Sequence, residues 1–184
     1  MLEVEAKYRV ADRSSVVALL MKWGAQLAET REDTDHYFNA PDRDFAKTDE
    51  AFRLRRIGTK NYFTYKGPKR DTVTKTRTEI ELPIDSGNDG ATKAVKMIIA
   101  LGYRPVAVVS KNRTVYKFHR GAFAMEACLD DIGSIGRFVE LEIQSSEADY
   151  EAAKTTLLAA AAELGLKDQE RRSYLEMLLS ANRS

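Results

Sequence analysis

Charge returns at every second residue near the start of this chain. Glu3, Glu5, Lys7 and Arg9 share one parity, and Leu2, Val4, Ala6, Tyr8 and Val10 share the other. Successive side chains of a β-strand point to opposite faces, so this period predicts a strand over 2–10. The same alternation predicts strands over 51–57, 61–66, 76–82, 106–118, 122–131 and 138–143. One parity of these strands carries Lys7, Arg9, Arg53, Arg55, Lys66, Arg77, Lys111 and Arg113. It also carries Glu3, Glu5, Glu79, Glu81, Glu126, Asp130, Glu140 and Glu142. The opposite parity is mostly apolar. An open sheet with one wet face shows alternation too, but its polar face is usually diluted with Ser, Thr, Asn and Gln. Here nearly every strand repeats charge in i, i+2 register, which points to a closed barrel with a charged interior.

Each Glu-x-Glu pair aims two carboxylates at one place, ~6.5–7 Å apart. Their repulsion is about 0.6 kcal/mol in water and about 2.4 kcal/mol at an effective dielectric of 20. An enclosed set of such pairs needs cations. A barrel lined by both signs suits a polyanion held by Lys and Arg, with divalent metal held by the carboxylates. A triphosphate with Mg²⁺ or Mn²⁺ meets both requirements.

Helices are expected over about 14–23 (Ser14 at the start, Gly24 at the stop), 90–101 (Asp89 to Gly102), 147–164 (stopped by Gly165) and 169–179. Ser146-Glu147-Ala148-Asp149 resembles a capping box with Asp in place of Glu or Gln. With 184 residues against a typical ~150 per domain, and no Pro/Gly/Ser linker, residues 1–184 read as one α+β domain.

Composition excludes several classes. The single cysteine, Cys128, rules out a disulfide framework and a Cys₄ or Cys₂His₂ zinc site. No apolar run approaches the ~18 residues of a membrane span. No signal peptide is visible, so a cytoplasmic protein is the expectation. Net charge is +1, yet 53–77 holds nine Lys/Arg against one acid, and 122–151 holds eight acids against one Arg. Two solvated faces of opposite sign would also give this asymmetry. The pI of about 7.8 and the acidic segment argue against nucleic-acid binding. There is no GxxxxGK[ST] loop, HExxH or GxGxxG.

The motifs, in order, resemble those of the CYTH superfamily, the triphosphate tunnel metalloenzymes. Glu3-Val4-Glu5-Ala6-Lys7 resembles the ExExK motif, Phe52-Arg53-Leu54-Arg55 the LRxR strand, and Phe63-Thr64-Tyr65-Lys66-Gly67-Pro68 the TxKGP strand. Arg77-Thr78-Glu79-Ile80-Glu81 resembles RxExE, and Lys111-Asn112-Arg113 resembles KxR. Leu129-Asp130-Asp131-Ile132, Gly136–Glu142 and Arg172–Leu178 resemble the closing segments, the last of them the SYxELL tail of class IV adenylyl cyclases.

This resemblance implies an eight-stranded antiparallel tunnel with helices outside. It implies metal ligands Glu3, Glu5, Asp130, Glu140 and Glu142, holding Mg²⁺ or Mn²⁺. It implies triphosphate clamps Arg53, Arg55, Lys66, Arg77, Lys111 and Arg113. Lys7 and Glu5 would act at the reacting phosphate, with Glu79 and Glu81 in support. The implied reaction is conversion of ATP to cyclic AMP and pyrophosphate. The alternatives are hydrolysis of inorganic or thiamine triphosphate and, more remotely, a non-catalytic module for polyphosphate or nucleotide. The tail and the segment Asp35–Ala51 lean to the cyclase branch, whereas the His-Phe pair that cyclases carry before ExExK is absent. Relatives imply a homodimer, with no membrane and no nucleic-acid partner.

Other residues have plainer readings. His36 reads as a strand-end histidine, with contact to a substrate base as the alternative. His119 reads as solvent-facing, Trp23 as packing, and Cys128 as a small core filler. Glu126 shares the charged parity and can touch metal or clamp. Lys69, Arg70 and Lys75 form either a lid over the triphosphate or a flexible solvated loop.

Overall fold

Among the described residues, nine strands and five helices follow one another. They are β1 (Leu2–Arg9), α1 (Ser14–Lys22), β2 (Gln26–Asn39), α2 (Phe45–Thr48), β3 (Ala51–Ile57), β4 (Lys60–Lys66), β5 (Arg77–Ile84), α3 (Gly87–Ala100), β6 (Arg104–Arg120), β7 (Phe123–Ile132), β8 (Gly136–Ser145), α4 (Tyr150–Glu163), β9 (Asp168–Gln169) and α5 (Tyr174–Ala181). The computed structural model describes residues 2–70, 72–133 and 135–181. Met1, just before the first charged strand, and Asp71, the acid within the basic segment, lie outside the described residues.

The strand order is β5-β4-β3-β2-β6-β7-β8-β1-β9, and β5 also pairs with β1. That last pairing closes the sheet, so the fold class is the eight-stranded antiparallel barrel with helices outside, as expected. The two-residue β9 is an addition, paired to Tyr8 and Arg9.

The chain divides into two compact units. The first comprises 1–30, 69–77 and 112–171. Its core joins Val4, Ala6 and Tyr8 of β1 to Met125, Ala127 and Leu129 of β7 and to Val139, Leu141 and Ile143 of β8. Val16 and Leu20 of α1, and Leu157 and Ala160 of α4, cover them. Glu3, Glu5 and Lys7 are buried as well, so β1 is enclosed on both faces. The second unit comprises 31–68, 78–111 and 172–184. There Phe38 and Leu54, with Phe52 and Phe63, pack under Ala91, Ala94 and Ile98 of α3.

Helix starts differ from expectation for local reasons. At α1 it is Asp12, two residues earlier, that accepts from the Ser14 N–H (3.2 Å), and Arg13 occupies the cap. α3 begins at Gly87 after Ser86, so Asp89 lies in its first turn and pairs with Lys93 at 2.7 Å. Gly90 is required there, because an added Cβ would collide with the Asp85 carbonyl oxygen. The Ser146–Asp149 hydrogen bonds form (3.2 and 2.7 Å), but as a turn ahead of α4. α5 starts at Tyr174 with a true capping box: the Ser173 N–H donates to Glu176 (2.5 Å) and the Glu176 N–H to Ser173 Oγ (3.1 Å). The tail motif Ser173-Tyr174-Leu175-Glu176 is therefore, first of all, a helix start.

Candidate active site

The first unit gathers the acidic set. Antiparallel register sets Glu5 opposite Glu142 and Lys7 opposite Glu140, then Glu142 opposite Glu126 and Glu140 opposite Cys128. Arg113 of β6 stands opposite Asp130. Its guanidinium donates to both Asp130 oxygens (2.7 and 2.6 Å), hydrogen-bonds Glu140, and lies 3.6 Å from Glu142. Lys7 is fully buried, with its Nζ 3.9 Å from Glu140. Glu3 is buried beside Gln144. Thus Glu3, Glu5, Asp130, Glu140 and Glu142 come together in one unit with Lys7 and Arg113. Arg77 is buried in the same unit.

This crowding governs protonation. Burial pushes the Glu142 carboxyl up to about 8; Arg113 opposes the shift, while Glu3, Glu140 and Glu5 add to it. Burial, then the neighbouring Lys75 ammonium, pushes Lys7 down to about 7 against Glu140 and Glu5. A carboxyl held protonated among four others marks surplus negative charge. The donors are all hard carboxylate oxygens, which suit Mg²⁺ or Mn²⁺. The residues present therefore fit a divalent cation.

A pH dependence follows from Glu142. With a folded value near 8 it carries a proton at pH 7, so an incoming cation must displace that proton. Divalent affinity should rise with pH, by up to about tenfold per unit below pH 8, and flatten above it. Calorimetry in buffers of different ionisation enthalpy should register about one proton released per ion at pH 7. Flat affinity from pH 6 to 8 without proton release would contradict this.

The second unit gathers the basic set around β2. Asp35 stands opposite Arg55, and Tyr37 opposite Arg53. Asp35 accepts from Arg55 Nε (2.8 Å) and Nη2 (2.9 Å) and from Arg53 Nη1 (3.0 Å), which also reaches the Tyr37 hydroxyl at 3.3 Å. Burial raises the Asp35 carboxyl, but the two guanidiniums outweigh it and hold the group far below the usual carboxylate range. Asp33, fully buried, accepts from Arg31 at 2.8 Å and lies 3.8 Å from Lys111 Nζ. Lys111 also lies 5.3 Å over the Tyr174 ring, so α5 helps to seat it. Lys66 pairs with Glu79 at 2.6 Å. Asp33 Oδ2 and Arg53 Nε are buried without a hydrogen-bond partner among the described residues.

Some expectations change. Arg9 is exposed: it donates to Ile135 O (2.9 Å) and stacks on Phe138, closing the turn before β8 instead of lining the interior. Glu81 is exposed, accepting from Thr64 at 3.4 Å. Glu126 pairs with Lys117 at 2.9 Å near the surface. Ligand atoms of Glu126, Cys128 and Glu142 do cluster within 4.8 Å. Burial pushes the Cys128 thiol well above its ordinary value, so with no cation bound it stays protonated. Lys75 is neither lid nor solvated loop, but buried against Glu5 and Glu140. His36 has the parity opposite to Asp35 and Tyr37, His119 is exposed, and Trp23 packs on Phe118. The segment after β2 is a structural lock: Asn39 accepts from the Phe45 N–H (2.8 Å), and Arg43 grips Glu50 twice at 2.9 Å.

Sequence reasoning missed Asp33, Asp35, Tyr37 and Lys75 as interior groups. The alternation Asp33, Asp35, Tyr37 was the available signal for the first three. For Lys75, on irregular backbone, periodicity carries no signal.

The CYTH domain model matches residues 1–174. The chain belongs to the CYTH family. A Methanocaldococcus jannaschii protein named as a candidate adenylate cyclase is 36% identical over 180 residues, covering 96% of this chain and 98% of that protein. The Aeromonas hydrophila protein named adenylate cyclase CyaB is 31% identical, covering 94% of this chain and 86% of that one. A solved Pyrococcus horikoshii structure superposes with TM-score 0.85 at 34% identity, covering 97% and 99% of the two chains. No helix among the described residues is long and apolar enough to cross a membrane.

Proposed function

We propose that this CYTH chain is one catalytic domain, a divalent-metal-dependent enzyme acting on a triphosphate, of adenylyl cyclase type. The observation that carries this reading is the burial of two charged sets of opposite character on one fold. Four buried carboxylates (Glu3, Glu5, Asp130 and Glu140) and the half-buried Glu142 accompany Lys7 and Arg113, and a guanidinium pair is fixed by Asp35. Phosphoryl transfer asks mainly for charge neutralisation and positioning, which such sets provide. Family membership and the names of the two relatives support the cyclase reading.

Mg²⁺ or Mn²⁺ held by Glu3, Glu5, Asp130, Glu140 and Glu142 would neutralise phosphate charge. The remaining work falls to the chain's own groups. Arg53 and Arg55 are pre-oriented by Asp35 and need little reorganisation to receive phosphate oxygens. Lys66, Arg77, Lys111 and Arg113 supply further positive charge, with Lys66 steadied by Glu79. Lys7, with a value near 7, can take up the proton of the attacking hydroxyl at its Nζ. In a cyclase that hydroxyl is the ribose 3′-OH and the products are cyclic AMP and pyrophosphate. Attack by water on the terminal phosphorus would make the chain a triphosphatase instead.

The test is product analysis with Mg²⁺ or Mn²⁺ and ATP, tripolyphosphate or thiamine triphosphate. Cyclic AMP with pyrophosphate is expected. Orthophosphate from tripolyphosphate with ATP intact would replace the cyclase reading by the triphosphatase one, and orthophosphate from the thiamine ester alone would do so for that ester. No turnover of any, with tight binding, would make this a binding module. Lys66→Ala should raise the KM or Kd for the triphosphate by about tenfold or more, the loss of one charge-assisted contact. An unchanged affinity in a binding assay would remove Lys66 from the clamp.

A further inference from the structure

The described residues between Gly67-Pro68 and β5 have no regular secondary structure, yet Thr74, Lys75 and Thr76 are buried while Val73 before them is exposed. The segment is strapped down within the first unit. The Arg70 N–H donates to Thr76 O (2.8 Å) and the Lys75 N–H to Glu5 O (2.8 Å). The Arg70 guanidinium grips Glu147 (2.7 and 2.5 Å), and the Gln169 amide donates to Val73 O (2.6 Å). The strap delivers the Lys75 ammonium onto the acidic set: Nζ hydrogen-bonds Glu5 Oε1 and lies 3.5 Å from Glu140 Oε1.

We propose that Lys75 is the internal counter-cation of the carboxylate centre, seated between Glu5 and Glu140 where a divalent cation binds, and that cation binding expels it. The proposal rests on the reading of Glu5 and Glu140 as metal ligands. One carboxylate oxygen cannot accept from an ammonium and also coordinate a divalent cation at about 2.1 Å without setting two positive charges side by side. One of the two must leave. Lys7 also approaches Glu140, but its Nζ stays 3.9 Å away, whereas Lys75 hydrogen-bonds Glu5 and lies closer to Glu140. Lys75 is on irregular backbone and can swing out by its side chain alone. The free protein thereby avoids an uncompensated acidic centre, and metal affinity is set by a competition written into the chain.

The experiment is Mn²⁺ binding without triphosphate, read by the EPR signal of the free ion, in wild type, Lys75→Ala, Lys75→Arg and Glu142→Gln. Lys75→Ala should bind Mn²⁺ about tenfold tighter or more, a competing charge having been removed. Lys75→Arg, which keeps that charge, should not gain. In wild type, amine-reactive labelling read by mass spectrometry should find Lys75 protected without metal and labelled with Mn²⁺, and this needs no variant to fold. Equal or weaker binding by folded Lys75→Ala, or Lys75 still protected at saturating Mn²⁺, would overturn the proposal. After such a negative result, Mn²⁺ binding by wild type that is lost in Glu142→Gln would leave the metal reading standing, so that the role of Lys75 alone falls. If neither wild type nor folded Lys75→Ala binds Mn²⁺, the metal reading falls with it.

Discussion

Glu142→Gln should remove metal-dependent turnover by more than about a hundredfold while leaving the fold intact. Loss of a group that merely orients a metal ligand costs about 10–100-fold, so loss of a ligand oxygen should exceed that. The fold should survive because Glu142 is already held protonated near neutral pH, and a neutral amide of the same shape replaces a neutral carboxyl. The sign can be checked against pH. A folded value raised to about 8 means that folding takes up a proton between the ordinary carboxyl range and pH 8, so this group lowers stability as pH rises through that window. Glu142→Gln abolishes the dependence. The metal-free variant should match wild type at pH 4 and be the more stable at pH 9, by thermal or urea denaturation. Full turnover in the variant, or a loss of stability at pH 9, would count against Glu142 as a crowded metal ligand.

Much of this was legible in the sequence because a barrel interior obeys a period of two. Strands such as β1 and β8, where charge and apolar residues alternate cleanly, disclosed their inner face and the mixture of acids and bases on it. The exceptions are physical. Arg9 keeps the right parity but sits at the end of β1, where its long side chain reaches out to cap Ile135 O. Glu81 keeps parity too, but lies on β5 in the half of the strand open to solvent. β2 was harder to read, because Glu29, Arg31, Glu32 and Asp33 crowd charge onto both parities and blur the period. Lys75 was illegible because its placement is set by tertiary hydrogen bonds to Glu5 and Thr76 flanks, not by any local period. The SYxE tail was recognisable as a motif, yet its physical work, capping α5 and laying Tyr174 beneath Lys111, needed coordinates.

Asp35→Ala should be the most damaging single change to stability. The carboxylate makes three hydrogen bonds to two buried guanidiniums. Removing it leaves two buried positive charges facing each other, and breaking a buried pair from one side costs about 3–5 kcal/mol. For a chain of this size that corresponds to a fall of about 6–20 °C in Tm. The defect is uncompensated charge more than lost packing, so replacing Arg53 and Arg55 by Met in the same chain should recover much of it, at the expense of triphosphate binding. Its pH dependence has the sign opposite to that of Glu142. Asp35 is held below its unfolded value, so its contribution is complete above about pH 4, the ordinary Asp range, and drains away as pH falls further. The gap between wild type and Asp35→Ala should therefore be widest near neutrality and shrink below about pH 4. A gap that stays constant from pH 7 to pH 3 would mean that the loss is one of packing, and that Asp35 is not what holds Arg53 and Arg55 ready.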